Sequence, residues 1–187
     1  MDKIGGPSVK PYQPAGLWKE LSGGDDYKQD HGDALHRRSL YTFWKRTAPP
    51  PMMMSFDAAG REACVVRELR TNTPMQSLDL MNDVTFLEAA RKMAERMMRN
   101  GGSTPAERIG FGFELATAHN PGKRELEILL ESFAYYRDGF QSNATSASRY
   151  LAQGEAARDL TLDARELAAY TAVASTILNL DATLTKD

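Results

Sequence analysis

A four-residue pattern typical of the start of an α-helix occurs twice in this sequence, at residues 73–76 (TPMQ) and 104–107 (TPAE). The threonine can cap the helix, the proline suits the first helical position because no N–H partner is needed there, and the last residue can complete a capping box. After the first start, apolar residues recur at helical spacing at Met75, Leu78, Met81, Phe86, Ala89, Ala90, Met93 and Met97. Such stripes predict a chain built mainly from helices.

Further helix boundaries follow along the chain. Asn82 and Asp83 interrupt the first stripe and can cap a second segment that runs to about Arg99, where two glycines end it. The sequence HNP at residues 119–121 ends the helix that starts at residue 105, and two more helices are predicted over residues 126–136 and 144–152. Asp163 predicts the cap of a last helix, whose inward face should consist of Leu167, Tyr170, Val173, Ala174 and Ile177. The predicted fold class is mainly α: a helical bundle with an extended N-terminal arm and a short β-ribbon or irregular insertion around residues 37–70.

The first 34 residues contain nine glycines or prolines, a density that favours an extended arm with one short helical turn at residues 17–21. Tyr12, Leu17 and Trp18 are residues that favour burial, so we expect the arm to pack on its own domain. The predicted organisation is an arm (residues 1–34) that is part of the same domain as a helical region with a β or irregular segment (residues 35–187). Because the chain opens on loop-like residues, we also expect it to be a C-terminal fragment of a larger protein.

Residues 38–45 (RSLYTFWK) have high β propensity and predict a strand, although the same residues can also begin a helix. The three prolines at residues 49–51 should end this strand, because they cannot donate ladder hydrogen bonds and they favour polyproline II. Residues 64–68 (CVVRE) predict a second short strand, which could pair with the first as a small ribbon.

The central stretch is also the basic part of the chain. Between His36 and Arg70, seven Lys or Arg and three Asp or Glu leave the stretch at +4, while the remainder of the chain is at −6. The candidate ligand-binding residues of this stretch and its continuation are Arg38, Tyr41, Trp44, Arg46, Asp57, Arg67, Arg70, Asn72, Asn82 and Asp83. In one interpretation the arginines pin the irregular segment by binding Asp57, Asp83 and loop carbonyls. In a second they line a cleft for an anionic or sugar-like ligand, on which Tyr41 and Trp44 stack. In a third these polar residues are only solvated surface.

Composition bounds the remaining chemistry. Cys64 is the single cysteine, so the chain forms no intrachain disulfide, CxxC zinc site or c-type haem attachment site, and its neighbours predict a buried position. The possible metal ligands are scattered, so no metal is assigned. Acid–base catalysis by Asp57 with Asp83, or by Glu62 with Glu68, is a further hypothesis, and no catalytic residue is assigned. No apolar run approaches the ~20 residues that span a bilayer, and a net charge of −2 argues against a nucleic-acid partner.

Four long motifs carry a family resemblance: GGPSVKPYQPAGLW, RRSLYTFWKRTAPPP, FDAAGREACVVRELRTNTPMQSLDLMND and YTAVASTILNLDATLTKD. They resemble the planctomycete secreted domain of unknown function that is number fifteen fifty-three in the domain-of-unknown-function series. In that family the domain forms the C-terminal part of exported proteins. It follows another uncharacterised domain and, often, a cytochrome-c-like module with a haem motif.

The resemblance implies an exported, periplasmic or cell-envelope protein, although this chain carries no signal peptide. It implies that the partners are upstream domains of the same parent protein, with a carbohydrate as a further candidate, and that any haem lies in an upstream domain rather than in this chain. The function expected from it is an interaction or structural module that docks those domains or an envelope or polysaccharide ligand. The alternative is part of a carbohydrate-active or redox-coupled enzyme completed by the upstream domains. No residue pattern identifies a reaction, so both functions stand at this point.

Overall fold

The computed structural model describes residues 3–46, 48–60, 64, 66 and 71–185. Over these residues the chain is mainly helical, which confirms the predicted fold class, and the chain divides into two compact units, Met1–Asp79 and Leu80–Asp187. The α-helices in chain order are α1 (Leu17–Ser22), α2 (Pro51–Ser55), α3 (Pro74–Asn82), α4 (Val84–Asn100), α5 (Pro105–Thr117), α6 (Lys123–Ser142), α7 (Ala144–Leu151), α8 (Ala164–Leu178) and α9 (Asp181–Leu184). Two short 3₁₀ helices, Gly32–His36 and Ser39–Tyr41, lie between α1 and α2. None of the described helices is long and apolar enough to cross a lipid bilayer.

In the first unit the N-terminal arm lies alongside the segment that follows the second 3₁₀ helix. The N–H of Val9 donates to the carbonyl of Tyr41 at 2.8 Å, and the N–H of Phe43 donates to the carbonyl of Val9 at 2.7 Å. Helix α1, which the sequence predicts, buries Trp18 against the rings of Tyr27 and Phe43 at centroid distances of 5.5 and 5.9 Å. Burial of an aromatic ring contributes on the order of 2 kcal/mol, so the arm is a packed part of this unit.

The predicted strand at residues 38–45 is wrong. Ser39–Tyr41 forms a 3₁₀ helix, and the extended residues after it make only isolated bridges, between Thr42 and Val9 and between Lys45 and Ala48. High β propensity produces a strand only where a neighbouring strand runs alongside it, and here the neighbour pairs at a single residue. The second predicted strand, at residues 64–68, falls largely outside the described residues. Cys64 is described and exposed, so its predicted burial is wrong.

The proline triplet starts a helix instead of only interrupting the chain. Pro50 is extended (φ −60°, ψ 122°), in agreement with the predicted polyproline conformation, but Pro51 occupies the first position of α2. A proline costs nothing there because its missing N–H would have no partner. The three methionines at residues 52–54 are consequently helical, and the chain turns sharply at Asp57 after the helix ends.

The second unit is built around α8, of whose residues ten are buried. Its many alanines let neighbouring helices approach closely, and α4 and α6 pack most extensively against it. Phe133 of α6 and Tyr170 of α8 are in contact, with ring centroids 4.4 Å apart. The residues of α8 predicted to face inward are all inaccessible to solvent, and they are Leu167, Tyr170, Val173, Ala174 and Ile177. The helical period of the sequence therefore identified this core correctly.

Capping hydrogen bonds confirm the predicted helix starts. At α3 the N–H of Gln76 donates to Thr73 Oγ1 at 3.2 Å and the N–H of Thr73 donates to Gln76 Oε1 at 2.8 Å. Helix α5 begins with the same reciprocal box. Asp83 separates α3 from α4 and accepts from the N–H of Thr85 at 2.8 Å, and Asp163 caps α8. Each such cap contributes about 1 kcal/mol, whereas α2 and α9 begin without a side-chain cap and were not predicted.

Helix α3 exposes three apolar residues and buries a polar residue together with Leu80, which is 6% accessible. The exposed residues are Met75, Leu78 and Met81, with 59, 56 and 48% of their surface accessible. Gln76 on the same helix is only 4% accessible. The apolar stripe predicted from the sequence therefore faces inward in α4, where Ala90 and Met97 are fully buried and Ala89 is the exposed exception, but not in α3.

Candidate functional site

Among the described residues, Asp57, the central carboxylate of the predicted site, is held by Thr71 and Gln76. It follows α2 in the left-handed region, with φ of 56°. Its carboxylate accepts from the N–H of Thr71 at 2.7 Å and from the Thr71 hydroxyl at 2.8 and 3.0 Å, and Gln76 Nε2 donates to it at 3.4 Å. These hydrogen bonds, that of the Thr71 N–H above all, lower the pKa of Asp57 below its ordinary value. Asp57 thus ties together the two ends of the 57–71 connection.

The buried amide of Gln76 links the end of α2 to the start of α3. Its Nε2 donates to the carbonyl of Ser55 at 2.9 Å and to Thr71 Oγ1 at 3.1 Å, while its Oε1 accepts the capping hydrogen bond from Thr73. Both polar atoms of the amide are therefore satisfied inside the first unit, as burial requires. This explains why a polar residue faces inward on α3.

The two described arginines of the predicted site do not act as clamps. Arg38 and Arg46 are exposed, and within the described part of the chain neither forms an ion pair or a side-chain hydrogen bond. Asp57 and Asp83, their predicted partners, accept hydrogen bonds from Thr71 and Gln76 and from Thr85 instead. The interpretation that Arg38 and Arg46 pin the irregular segment through these carboxylates is therefore wrong.

The other predicted residues occupy separate parts of the chain. Trp44 is half-buried and Asn72 is exposed, both in the first unit. Asn82 is the last residue of α3 and belongs to the second unit. Arg67 and Arg70 lie outside the described residues. Their predicted part in an anion or sugar site stays a prediction.

Arg37 acts as a clamp in this region, whereas the sequence predicted that role for its neighbour Arg38. The Arg37 guanidinium donates to the carbonyls of Pro7, Gly5 and Lys3 at 2.9, 2.6 and 3.1 Å. It also lies 3.6 Å from the centroid of the Tyr41 ring, and the Tyr41 hydroxyl accepts from the N–H of Gly5 at 2.8 Å. Arginine is suited to this because its planar fork can bind several carbonyls while it stacks on a ring. Tyr41 therefore holds the arm, and its predicted part in ligand binding stays a prediction.

A seam of buried charge joins α4 to the loop after α7 in the second unit. Arg91, only 3% accessible, donates to the carbonyls of Leu151 and Ala156 at 2.7 and 2.6 Å. Glu88, 2% accessible, accepts from the N–H of Ala156 at 3.0 Å, and the two charged groups lie 3.9 Å apart. Charges this deeply buried are tolerated only when paired and hydrogen-bonded. The seam therefore fixes the loop on α4.

Gly154 is required where this loop crosses α4. Its φ is +82°, a left-handed conformation, and a Cβ at this position would lie 1.8 Å from Glu88 Oε2. No side chain larger than a hydrogen fits beside the buried carboxylate. The position therefore demands glycine for two independent reasons, backbone conformation and space.

Beside the seam lies a groove of about 590 Å³ between the C-terminal half of α4 and the same loop. Its lining residues are Lys92, Glu95, Arg96, Arg99, Asn100, Ala157, Arg158, Asp159 and Leu160. Lys92 Nζ donates to Glu95 Oε2 at 2.8 Å, Arg99 pairs with Asp159, and Glu95 Oε1 accepts from the N–H of Asp159 at 3.1 Å. Both carboxylates of the groove are thus committed to internal partners.

Two guanidinium groups in the groove have no partner among the described residues. Within the residues that the structure describes, the side chains of Arg96 and Arg158 form no ion pair or hydrogen bond. The hydroxyl and then the N–H of Thr161, with a smaller contribution from Arg99, hold the pKa of Asp159 below its ordinary value, so this carboxylate stays ionised and paired. The groove therefore carries an excess of two positive charges.

Neither the seam nor the groove was predicted from the sequence. On α4 the charged residues Glu88, Arg91, Lys92, Glu95 and Arg99 recur at spacings of three and four, which is the pattern of a solvated face. The sequence gives one indication that they are buried: the loop AQGEAARD at residues 152–159 is polar, and its backbone N–H and C=O groups require hydrogen-bond partners. That pairing spans about sixty residues of sequence, and no local pattern predicts it. No group of three or more His, Cys, Asp or Glu side chains in the described residues forms a metal site.

The helices, the clamped arm and the buried charged seam define a mainly α-helical protein whose polar residues secure loops. The chain belongs to the PSD1 family, described as Protein of unknown function (DUF1553), whose model matches residues 1–133. This range includes the first unit and reaches into α6, so the fourth motif of the resemblance lies beyond it. No curated protein matches the chain, and neither does any solved structure.

Proposed function

We propose that this chain is a non-catalytic interaction module of an exported multidomain bacterial protein. It binds a neighbouring domain of the parent protein through the apolar face of α3, formed by Met75, Leu78 and Met81. The observation that carries this proposal is the orientation of α3, which turns these three apolar side chains outward while Gln76 and Leu80 are buried.

The orientation of α3 is fixed from within. Gln76 completes the capping box and binds the Ser55 carbonyl, so the helix cannot rotate to bury its apolar face without losing these bonds. Residues at spacings of three lie on the same side of a helix, and together the three form a stripe rather than scattered exposed residues. A helix presenting such a stripe fits a hydrophobic groove on a partner, and methionine adapts well to contact surfaces.

The setting of the module follows from the family resemblance. The family motifs support export to the periplasm or cell envelope, with haem, where present, in an upstream domain and no cofactor in this chain. An upstream domain of the same parent protein is therefore the partner we propose for α3. A polysaccharide or other envelope ligand is the competing partner.

The test compares the complete parent protein with this chain alone. Hydrogen peroxide oxidises accessible methionines, and mass spectrometry locates the products. Met75 and Met81 should oxidise quickly in the isolated chain and slowly in the parent protein, while Met54, which is exposed in another element, should oxidise at the same rate in both. Equal oxidation of Met75 and Met81 in the two proteins would contradict the docking.

A mutant pair then measures the strength of docking. The variant M75S/L78S/M81S should weaken binding of the chain to the separately produced upstream domain about 100-fold, since each half-exposed side chain contributes ~1 kcal/mol on burial. The matched control L115S/I128S/L184S removes three exposed apolar residues elsewhere and should bind normally. An equal loss in both variants would show that the face is not specific. Glycan turnover or electron transfer by the parent protein that requires this chain would instead support the enzyme alternative.

A further inference from the structure

We infer that the groove between α4 and the loop at residues 157–160 binds an acidic peptide segment, whose carboxylates pair with Arg96 and Arg158 while an apolar side chain contacts Leu160. This surface differs from the α3 face and uses different residues. The inference rests on three observations: uncompensated charge, a rigid frame and an exposed leucine beside the charges.

The excess positive charge of the groove does not pair with any carboxylate of the groove. The two carboxylates, Glu95 and Asp159, already bind Lys92 and Arg99, and Arg96 and Arg158 remain without a partner in the described part of the chain. Arginine pairs with carboxylates through two parallel hydrogen bonds, with greater geometric specificity than lysine. Two such groups lining one groove favour a ligand with at least two carboxylates.

The helix dipole does not account for this arrangement. Basic residues are stabilising in the last turn of a helix, and Arg99 occupies that position in α4. Arg96 lies one turn earlier, where the effect has decayed, and Arg158 is not part of a helix. The feature that the two free guanidinium groups share is the groove itself.

The frame of the groove is already rigid. Lys92 Nζ donates to the carbonyl of Ala157 at 2.7 Å, and Arg91 and Glu88 hold Ala156 from the adjacent face of α4. Asp159 is fixed on both sides, by the N–H that it donates to Glu95 and by its pairing with Arg99. A ligand would therefore meet a preformed surface and lose little affinity to ordering it.

Leu160 distinguishes a peptide from other anions. Its side chain is 79% accessible although it lines the groove, and an apolar residue beside two cations suits a segment in which leucine or a similar residue lies between acids. The lining contains no aromatic ring of the kind on which a sugar stacks. The groove chemistry therefore favours an acidic peptide over an acidic glycan.

The experiment measures binding to the whole chain by fluorescence anisotropy. The probe is the labelled, end-blocked pentapeptide Glu-Glu-Leu-Glu-Glu, and the competitors are Gln-Gln-Leu-Gln-Gln, Glu-Glu-Ala-Glu-Glu, a galacturonic acid oligomer and inorganic phosphate. We expect the acidic leucine peptide to bind, the glutamine peptide to bind at least about tenfold more weakly, and affinity to fall as salt rises. Tighter binding of the uronate oligomer or of phosphate than of the peptide would overturn the assignment of the ligand.

Variants test the residues. R96Q/R158Q should weaken the probe about tenfold or more, because each lost charge-assisted pair matters even on an open surface. R124Q/R149Q removes the same charge from exposed positions on α6 and α7 and should bind the probe as tightly as the unsubstituted chain does. L160S should weaken the leucine peptide but not the alanine peptide. Equal binding by R96Q/R158Q and R124Q/R149Q would overturn the proposal, and matched circular dichroism spectra would show that all variants fold.

Discussion

Replacing Gly154 by alanine should lower the free energy of unfolding of the second unit by about 3 kcal/mol. A non-glycine residue at φ of +82° costs ~1 kcal/mol in backbone strain. The added Cβ would lie 1.8 Å from Glu88 Oε2, so the carboxylate must move. It then loses its hydrogen bond from the N–H of Ala156 in a buried site, which costs roughly 2 kcal/mol more.

A double-mutant cycle separates these two costs. An E88A background removes the clash with the carboxylate and leaves only the contact with the Cβ of residue 88, at 2.9 Å. G154A should therefore cost roughly 2 kcal/mol less in this background, and that difference is the coupling between the two substitutions. Urea unfolding followed by far-ultraviolet circular dichroism measures all four proteins, because most of the helical residues belong to the second unit. An equal cost of G154A in both backgrounds would refute the proposed conflict with Glu88.

Two further predictions concern the first unit. Because hydrogen bonds lower the pKa of Asp57 in the folded chain, its contribution to stability is present above the ordinary value of 3.8 and is lost as pH falls through the folded value. D57N should therefore be less stable than the unsubstituted chain at neutral pH, and the two should become equally stable in acid. An NMR titration of the Asp57 carboxyl with a midpoint at or above 3.8 would contradict this. R37Q should speed hydrogen exchange of the Val9 and Phe43 amides about tenfold by releasing the arm, whereas its neighbour R38Q, which removes an unpaired charge, should not.

The sequence predicted what is decided locally. The capping boxes at Thr73 and Thr104 and the caps at Asp83 and Asp163 each depend on residues within one helical turn, and all four are present. The inward face of α8 was also predictable, because its apolar residues recur at helical spacing and neighbouring helices pack against them.

The sequence failed where a distant partner decides the outcome. Residues 38–45 have strand propensity, but the arm offers them only Val9 as a partner. Arg37 and Arg38 are adjacent residues of the same type, so the sequence does not distinguish them. The position of the arm carbonyls makes Arg37 a clamp, whereas Arg38 is exposed. The same holds for Arg91, whose partners lie sixty or more residues away. The candidate groove could not be predicted, because its two walls come from these distant segments.

The seam between α4 and the loop after α7 has a consequence for protein engineering. Exposed connections usually accept inserted tags, cut sites or new termini, but here α4 grips the backbone at Leu151, Ala156, Ala157 and Asp159. One added residue would shift each of these groups out of register with its partner. The loop should therefore be as intolerant of insertion as a core helix, and a fusion site is better placed at the glycine pair after α1, where a Cβ would meet no neighbour.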